Sequence, residues 1–112
     1  MQDSFERGDV VWGTDPFRSG SNPRPWLVLS TERHPFHGEE YVCTLMTTTE
    51  RESAVRVTQS DWVVGGLSDR WYVSPWVPMT MKHSVIVRGQ GSVRDSVVDR
   101  VSEAVVYYLA PN

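Results

Sequence analysis

Arginine carries almost all of the positive charge in this chain, ten residues against the single Lys82, and two of the ten, Arg18 and Arg24, stand in one loop. That loop reads TDPFRSGSNPRP, from Thr14 to Pro25. A guanidinium offers parallel N–H donors that match a phosphate or a carboxylate, which a point-charge ammonium does not. Ser, Gly, Asn and Pro take up tight backbone angles at little cost, so the loop can hold its arginines at or near the strands on either side. The pattern suits a phosphate. The plain alternative is a surface hairpin with one arginine in an ion pair.

The remaining reactive side chains point away from metal and thiol chemistry. Cys43 is the only cysteine and sits in an apolar run from Tyr41 to Met46. No internal disulfide can form, and a buried structural thiol is expected there, not a nucleophile. His34, His37 and His83 are scattered and lack zinc-ligand spacing, so neither a metal nor a cofactor is expected. The net charge of −3 argues against a strongly basic nucleic-acid binder, although it leaves room for a local basic groove.

The elements that must position these residues are short. With 112 residues the chain is long enough for one core and one domain. Apolar runs at Asp9 to Gly13, Trp26 to Ser30, Glu40 to Thr48, Ala54 to Thr58, Trp71 to Trp76 and Ser84 to Val87 read as six strands. Breaks fall at His34 to Gly38, Thr49 to Ser53, Gly65-Gly66 and Gly89 to Gly91. Pro75 and Pro78 assign their segment to an edge or bent strand, since neither donates a ladder hydrogen bond. From Ser92 the period changes: Val93, Val97, Val98, Val101, Val105, Tyr108 and Leu109 recur at three and four, as in an amphipathic helix. Ser92 and Asp95 suggest its cap, and Pro111 its stop. The expected architecture is mainly β, a small antiparallel barrel over residues 1–91 covered by a C-terminal helix over 92–110. No apolar run approaches the roughly 18 residues of a membrane span, and the start MQDSFERGD lacks a signal-peptide pattern, so a cytoplasmic protein without membrane partners is expected.

In order and spacing, RGDVVWGTDPF at Arg7 to Phe17, RPWLVLS at Arg24 to Ser30 and CTLMTT at Cys43 to Thr48 resemble the MazF/PemK/Kid toxin family. The resemblance continues through a Gly-Gly-Leu segment, a Pro-Trp strand and a C-terminal helix. It implies an SH3-like barrel and a homodimer. It also implies a metal-independent, sequence-selective endoribonuclease that cuts single-stranded mRNA, arrests growth, and is blocked by a cognate antitoxin peptide. Arg24 matches the family's active-site arginine and Thr47 its active-site threonine. Arg18, Ser21 and Asn22 of the first loop, with Trp76, are the expected RNA contacts. Trp26, Trp71 and Tyr72 also lie near these segments, and one or two rings are expected to face a groove.

The chain departs from the family in two places. Its loop from Phe17 to Pro23 lacks the glutamate that many members carry, and Ser74 and Trp76 stand where Kid-type members have an arginine and an aspartate. No general base is thereby inherited. By residue type the acid or base candidates are Asp15, His37 and Glu50, all in or beside turns. Two other functions fit the same fold: a non-catalytic toxin that poisons a protein target, as CcdB relatives do, and an SH3-like interaction module. The ending Leu-Ala-Pro-Asn lacks the Trp-Gly-Ile through which the CcdB relatives act.

Overall fold

In the computed structural model, which describes residues 4–17, 22–68 and 70–112, seven strands form one antiparallel sheet and one helix follows them. The strands are β1 (Asp9–Gly13), β2 (Arg24–Val28), β3 (Glu40–Thr47), β4 (Val55–Val57), β5 (Trp62–Gly65), β6 (Trp71–Lys82) and β7 (Ile86–Val93). The helix is α1 (Asp95–Leu109). Across the sheet the order is β4-β6-β3-β2-β1-β7-β5, and the sheet curls into a half-barrel. The expected class, mainly β with a C-terminal helix, is the class observed.

Both faces of the central strands are covered, which is why the sequence shows unbroken pairs such as Val10-Val11 and Trp26-Leu27-Val28 and not a clean alternation. On one face Val10, Leu27, Met46 and Val73 pack with Val97, Val98 and Val101 of α1. On the other, Val11, Trp26, Val28, Tyr41, Cys43 and Met81 close on one another inside the curl. Burial pushes the Cys43 thiol up to about 12, so it is protonated and inert at neutral pH, as its apolar run predicts. The five valines of α1 each cost about 0.6 kcal/mol of helix propensity. Full burial of each of the three core-facing ones contributes about 1.5–3 kcal/mol, so tertiary packing decides the helix.

The structure corrects the sequence reading at four places, one of them the strand expected from Ser84, which starts only at Ile86 after a 3-10 turn over His83–Val85. A seventh strand, β5, occupies a segment that the apolar runs leave out. The glycines at 89 and 91 do not break the chain but lie within β7, where the ladder to β1 shifts register. Gly65 and Gly91 let β5 and β7 approach closely: a Cβ on Gly91 would lie 2.1 Å from the Val64 carbonyl oxygen, and one on Gly65 2.1 Å from that of Gln90. Finally, Ser92 does not cap the helix. It stays in β7, opposite Asp9, and the helix opens after Arg94 with no side-chain cap.

Pro75 and Pro78 act as expected of a bent strand. Leu45 of β3 pairs with Ser74, but its neighbour Thr44 pairs with Pro78, so Pro75, Trp76 and Val77 bulge out of the ladder. A bulge of this kind re-aims the side chains it carries.

Candidate active site

The register of β2 on β3 sets Trp26 opposite Leu45 and Val28 opposite Cys43. Side chains alternate along a strand, so Arg24 shares a face with Trp26, and Thr47 shares it with Leu45. The β2–β3 pairing ends at Trp26 and Leu45, and Arg24 and Thr47 are the next residues on that face of the two strands. Both side chains line a cleft of about 320 Å³, together with Asp15, Ser74 and Trp76.

Arg24 is anchored twice. One terminal nitrogen pairs with the Asp15 carboxylate at 3.2 Å, and the other donates to the Met46 carbonyl at 3.2 Å. Its side chain is 16% exposed, so it is held firmly yet reaches the cleft. A guanidinium has five N–H donors, and these two contacts leave others for a ligand. The buried Asp15 also accepts the Phe17 backbone N–H at 2.8 Å, a turn that fixes the carboxylate beneath Arg24.

Thr47 is oriented in a complementary way. Its hydroxyl oxygen accepts the Thr49 N–H at 3.1 Å, which leaves the hydroxyl proton to be donated into the cleft. Arg51 lines the rim and makes no ion pair with any described residue. Two guanidiniums and a hydroxyl thus converge on one concave surface, a donor set suited to the oxygens of a phosphate diester.

Four of the residues singled out from sequence therefore meet: Asp15, Arg24, Thr47 and Trp76. Others are not brought there. His37 packs edge-on against Tyr41, with ring centroids 5.6 Å apart, and lies 3.3 Å from a Glu6 carboxylate oxygen. Tyr41 stands six residues before Thr47 on β3, a separation of about 20 Å along the strand. Glu50 is exposed in the turn after β3 and Asn22 is exposed ahead of β2; neither lines the cleft. Arg18 and Ser21 fall outside the described residues. Of the rings named from sequence, Trp26 and Tyr72 are buried, and Trp71 packs against Trp12 at 6.4 Å. Trp76 is the one that lines the cleft.

Among the cleft residues that sequence reasoning did not single out are Arg51 and Phe17. Phe17 is 66% exposed and lines the cleft, and its place beside Arg18 in the first loop was the available signal. Among the described residues no three His, Cys, Asp or Glu side chains are grouped to hold a metal ion. No described helix is long and apolar enough to cross a membrane.

No protein-family model matches the sequence, and no curated protein is similar enough to match it. Solved structures do match. An endoribonuclease from a mycobacterial species, in complex with its cognate antitoxin, is 21% identical with a TM-score of 0.73, over 96% of this chain and 95% of that one. The Mycobacterium tuberculosis toxin MazF-mt6 is 25% identical with a TM-score of 0.68, over 92% and 96%. The MazE-MazF structure from Deinococcus radiodurans gives 15% identity and a TM-score of 0.74, over 99% and 100%. Over nearly its whole length the chain therefore has the fold of the MazF-type toxins, the family that its sequence motifs resemble.

Proposed function

We propose that the chain is the toxin half of a toxin-antitoxin pair, an endoribonuclease that cuts single-stranded mRNA at selected sequences without a metal ion. The observation that carries this reading is that Arg24 and Thr47 line one cleft, with Asp15 locking the guanidinium in place. The likeness in fold to an endoribonuclease bound to its antitoxin supports it.

In the proposed reaction the ribose 2′-hydroxyl attacks the adjacent phosphorus and its proton passes to a base. The bond to the 5′-oxygen breaks, that oxygen takes up a proton, and the products are a 2′,3′-cyclic phosphate and a 5′-hydroxyl. Negative charge builds on the two non-bridging oxygens as the pentavalent phosphorus forms. Arg24 donates to them with its free N–H groups, and Thr47 adds a hydroxyl donor already turned toward them. Asp15 is a positioning residue in this scheme. Asn22, Arg18 and Ser21 of the first loop, with Arg51 and Trp76, would guide the strand.

The same reading gives the protein its company. An acidic antitoxin segment that lies along the cleft competes with RNA for Arg24 and Arg51. Two copies of the toxin pair as a homodimer, and the work is done in the cytoplasm, where mRNA is found.

The decisive assay is cleavage of a long RNA in EDTA with both product ends mapped. Wild-type protein is expected to cut at a small set of sequences and to leave the two ends named above. Removal of one preorganised donor to a developing oxyanion typically slows the reaction roughly 100- to 1,000-fold. Arg24→Ala is expected to show at least that loss while its circular dichroism stays unchanged. Undiminished cutting by the variant, or cutting that stops in EDTA, overturns the mechanism.

A further inference from the structure

A second depression, of about 310 Å³, adjoins the cleft and shares two of its residues, Arg51 and Trp76. Glu52, Ser53 and Tyr108 complete it. We propose that it seats a guanine base next to the scissile phosphate, with Trp76 as the stacking surface and Glu52 as the group that reads the base. This rests on the ribonuclease reading and adds to it the identity of one recognised base.

Three separate elements build the depression, and each presents its side chain for a local reason. The β6 bulge lifts Trp76 off the sheet, and Pro75 and Pro78, which flank it, have fixed backbone φ angles. The last turn of α1 brings Tyr108, and the turn after β3 brings Arg51 to Ser53. The two rings stay open to solvent, Trp76 at 38% and Tyr108 at 45%. They meet nearly at right angles, with centroids 6.4 Å apart and planes at 85°, and Tyr107 backs Tyr108 at 5.6 Å. A perpendicular pair of rings makes a corner in which one planar base lies flat on the indole with its edge against the phenol.

Charge sets the order of the groups. The phosphate side of the cleft carries Arg24 and Arg51, and its one carboxylate, Asp15, is paired with Arg24, whereas Glu52 in the depression makes no ion pair with any described residue. A carboxylate there repels phosphate and accepts N–H groups. Two parallel donors on one edge are needed for bidentate acceptance. Among the four bases only guanine has them, at N1 and at the exocyclic N2; adenine and cytosine pair one donor with an acceptor, and uracil sets one donor between two acceptors. Arg51, shared by both hollows, then bridges the base to its own phosphate.

The test uses the full chain and short single-stranded RNAs carrying a 2′-deoxy substitution at the scissile nucleotide, so that binding is measured without cutting. The bases on either side of that nucleotide are varied one at a time, and cleavage sites on a long RNA are mapped in parallel. Wild type is expected to prefer guanine at one flanking position. Trp76→Ala and Tyr108→Ala are each expected to weaken binding about 10-fold or more, the usual effect of deleting a base-stacking ring. Trp76→Phe, which keeps a ring, recovers most of that loss. Glu52→Gln, an exposed and nearly isosteric change, is expected to remove the guanine preference.

The failures are separable. If wild type cuts RNA and Trp76→Ala, Tyr108→Ala and Glu52→Gln all keep its affinity and its sites, the base pocket falls and the ribonuclease stands. If wild type neither binds nor cuts RNA, both fall. If Tyr108→Ala changes the oligomeric state and leaves base preference intact, the rings serve self-association and the proposal is overturned.

Discussion

Arg24 and Thr47 are each fixed by neighbouring groups and left with donors facing the cleft, and that economy separates them from ordinary strand residues. Thr44, three positions before Thr47, shows the opposite condition. Its hydroxyl is fully buried and has no hydrogen-bond partner among the described residues, at the point where β3 shifts register against β6 and Thr44 lies opposite Pro78. An unsatisfied buried hydroxyl costs about 1–3 kcal/mol. Thr44→Val keeps the β-branched shape without the hydroxyl, and urea denaturation is expected to show a gain of about 1 kcal/mol. A loss would mean that the hydroxyl finds a partner. The site was legible here only in part. Arg24 and Thr47 stand in recognisable motifs, and Asp15 was evident as a carboxylate. Its contact with Arg24 was not, because no spacing rule links positions nine apart across a loop. Arg51 looked like any exposed turn arginine until the bend of the chain set it on the rim.

Among the elements, α1 depends on an anchor that sequence pattern does not show. The apolar spacing revealed the helix, but the placing of its N-cap at Arg94, two residues beyond Ser92, follows from long-range bonds. Asp61 accepts the Thr58 N–H at 2.7 Å, the Thr58 hydroxyl at 2.9 Å and the Arg94 Nε at 2.8 Å, and its carbonyl accepts the Arg94 N–H at 2.9 Å. Those contacts keep the chain in the β ladder through Val93. Burial alone would raise the Asp61 carboxyl, and the bonds from Thr58 and Arg94 outweigh it, holding the group below the usual carboxylate range. Folding therefore lowers this pKa. The resulting stabilisation is complete above the unfolded value of about 4 and is lost as the pH falls through the folded one. Arg94 is half exposed, so solvent screens its share and the Thr58 bonds carry much of the effect. Asp61→Asn is expected to cost about 2 kcal/mol at pH 7 in thermal or urea unfolding, with the gap to wild type closing in acid. A gap that persists unchanged at low pH would refute the assignment. The glycine-rich β7 and the short β5 escaped notice for a related reason: glycines that break most strands are here demanded by two backbones in contact.

For the whole molecule, the apolar surface that remains is the informative quantity. Val63 and Val64 on the edge strand β5, with Val87 on the adjacent β7, stay exposed, and so do Val106, Tyr107 and Leu109 at the end of α1. A small domain rarely leaves so many large apolar side chains in water, and an edge strand also presents unpaired backbone groups. Pairing with a second copy would cover such a surface and enlarge a core that 112 residues can only just supply. Light scattering at tens of micromolar is expected to give twice the 12.8 kDa chain mass. Val64→Lys and Tyr107→Lys each place a charge on one of the two surfaces, and the one that yields a monomer locates the interface. Because α1 also carries Tyr108 beside the cleft, an interface at the helix end would set the two clefts of a dimer along one continuous groove. An interface at β5 would leave them apart. A monomer in wild type at that concentration removes the dimer, and with it any need for a strand of RNA to cross from one copy to the other.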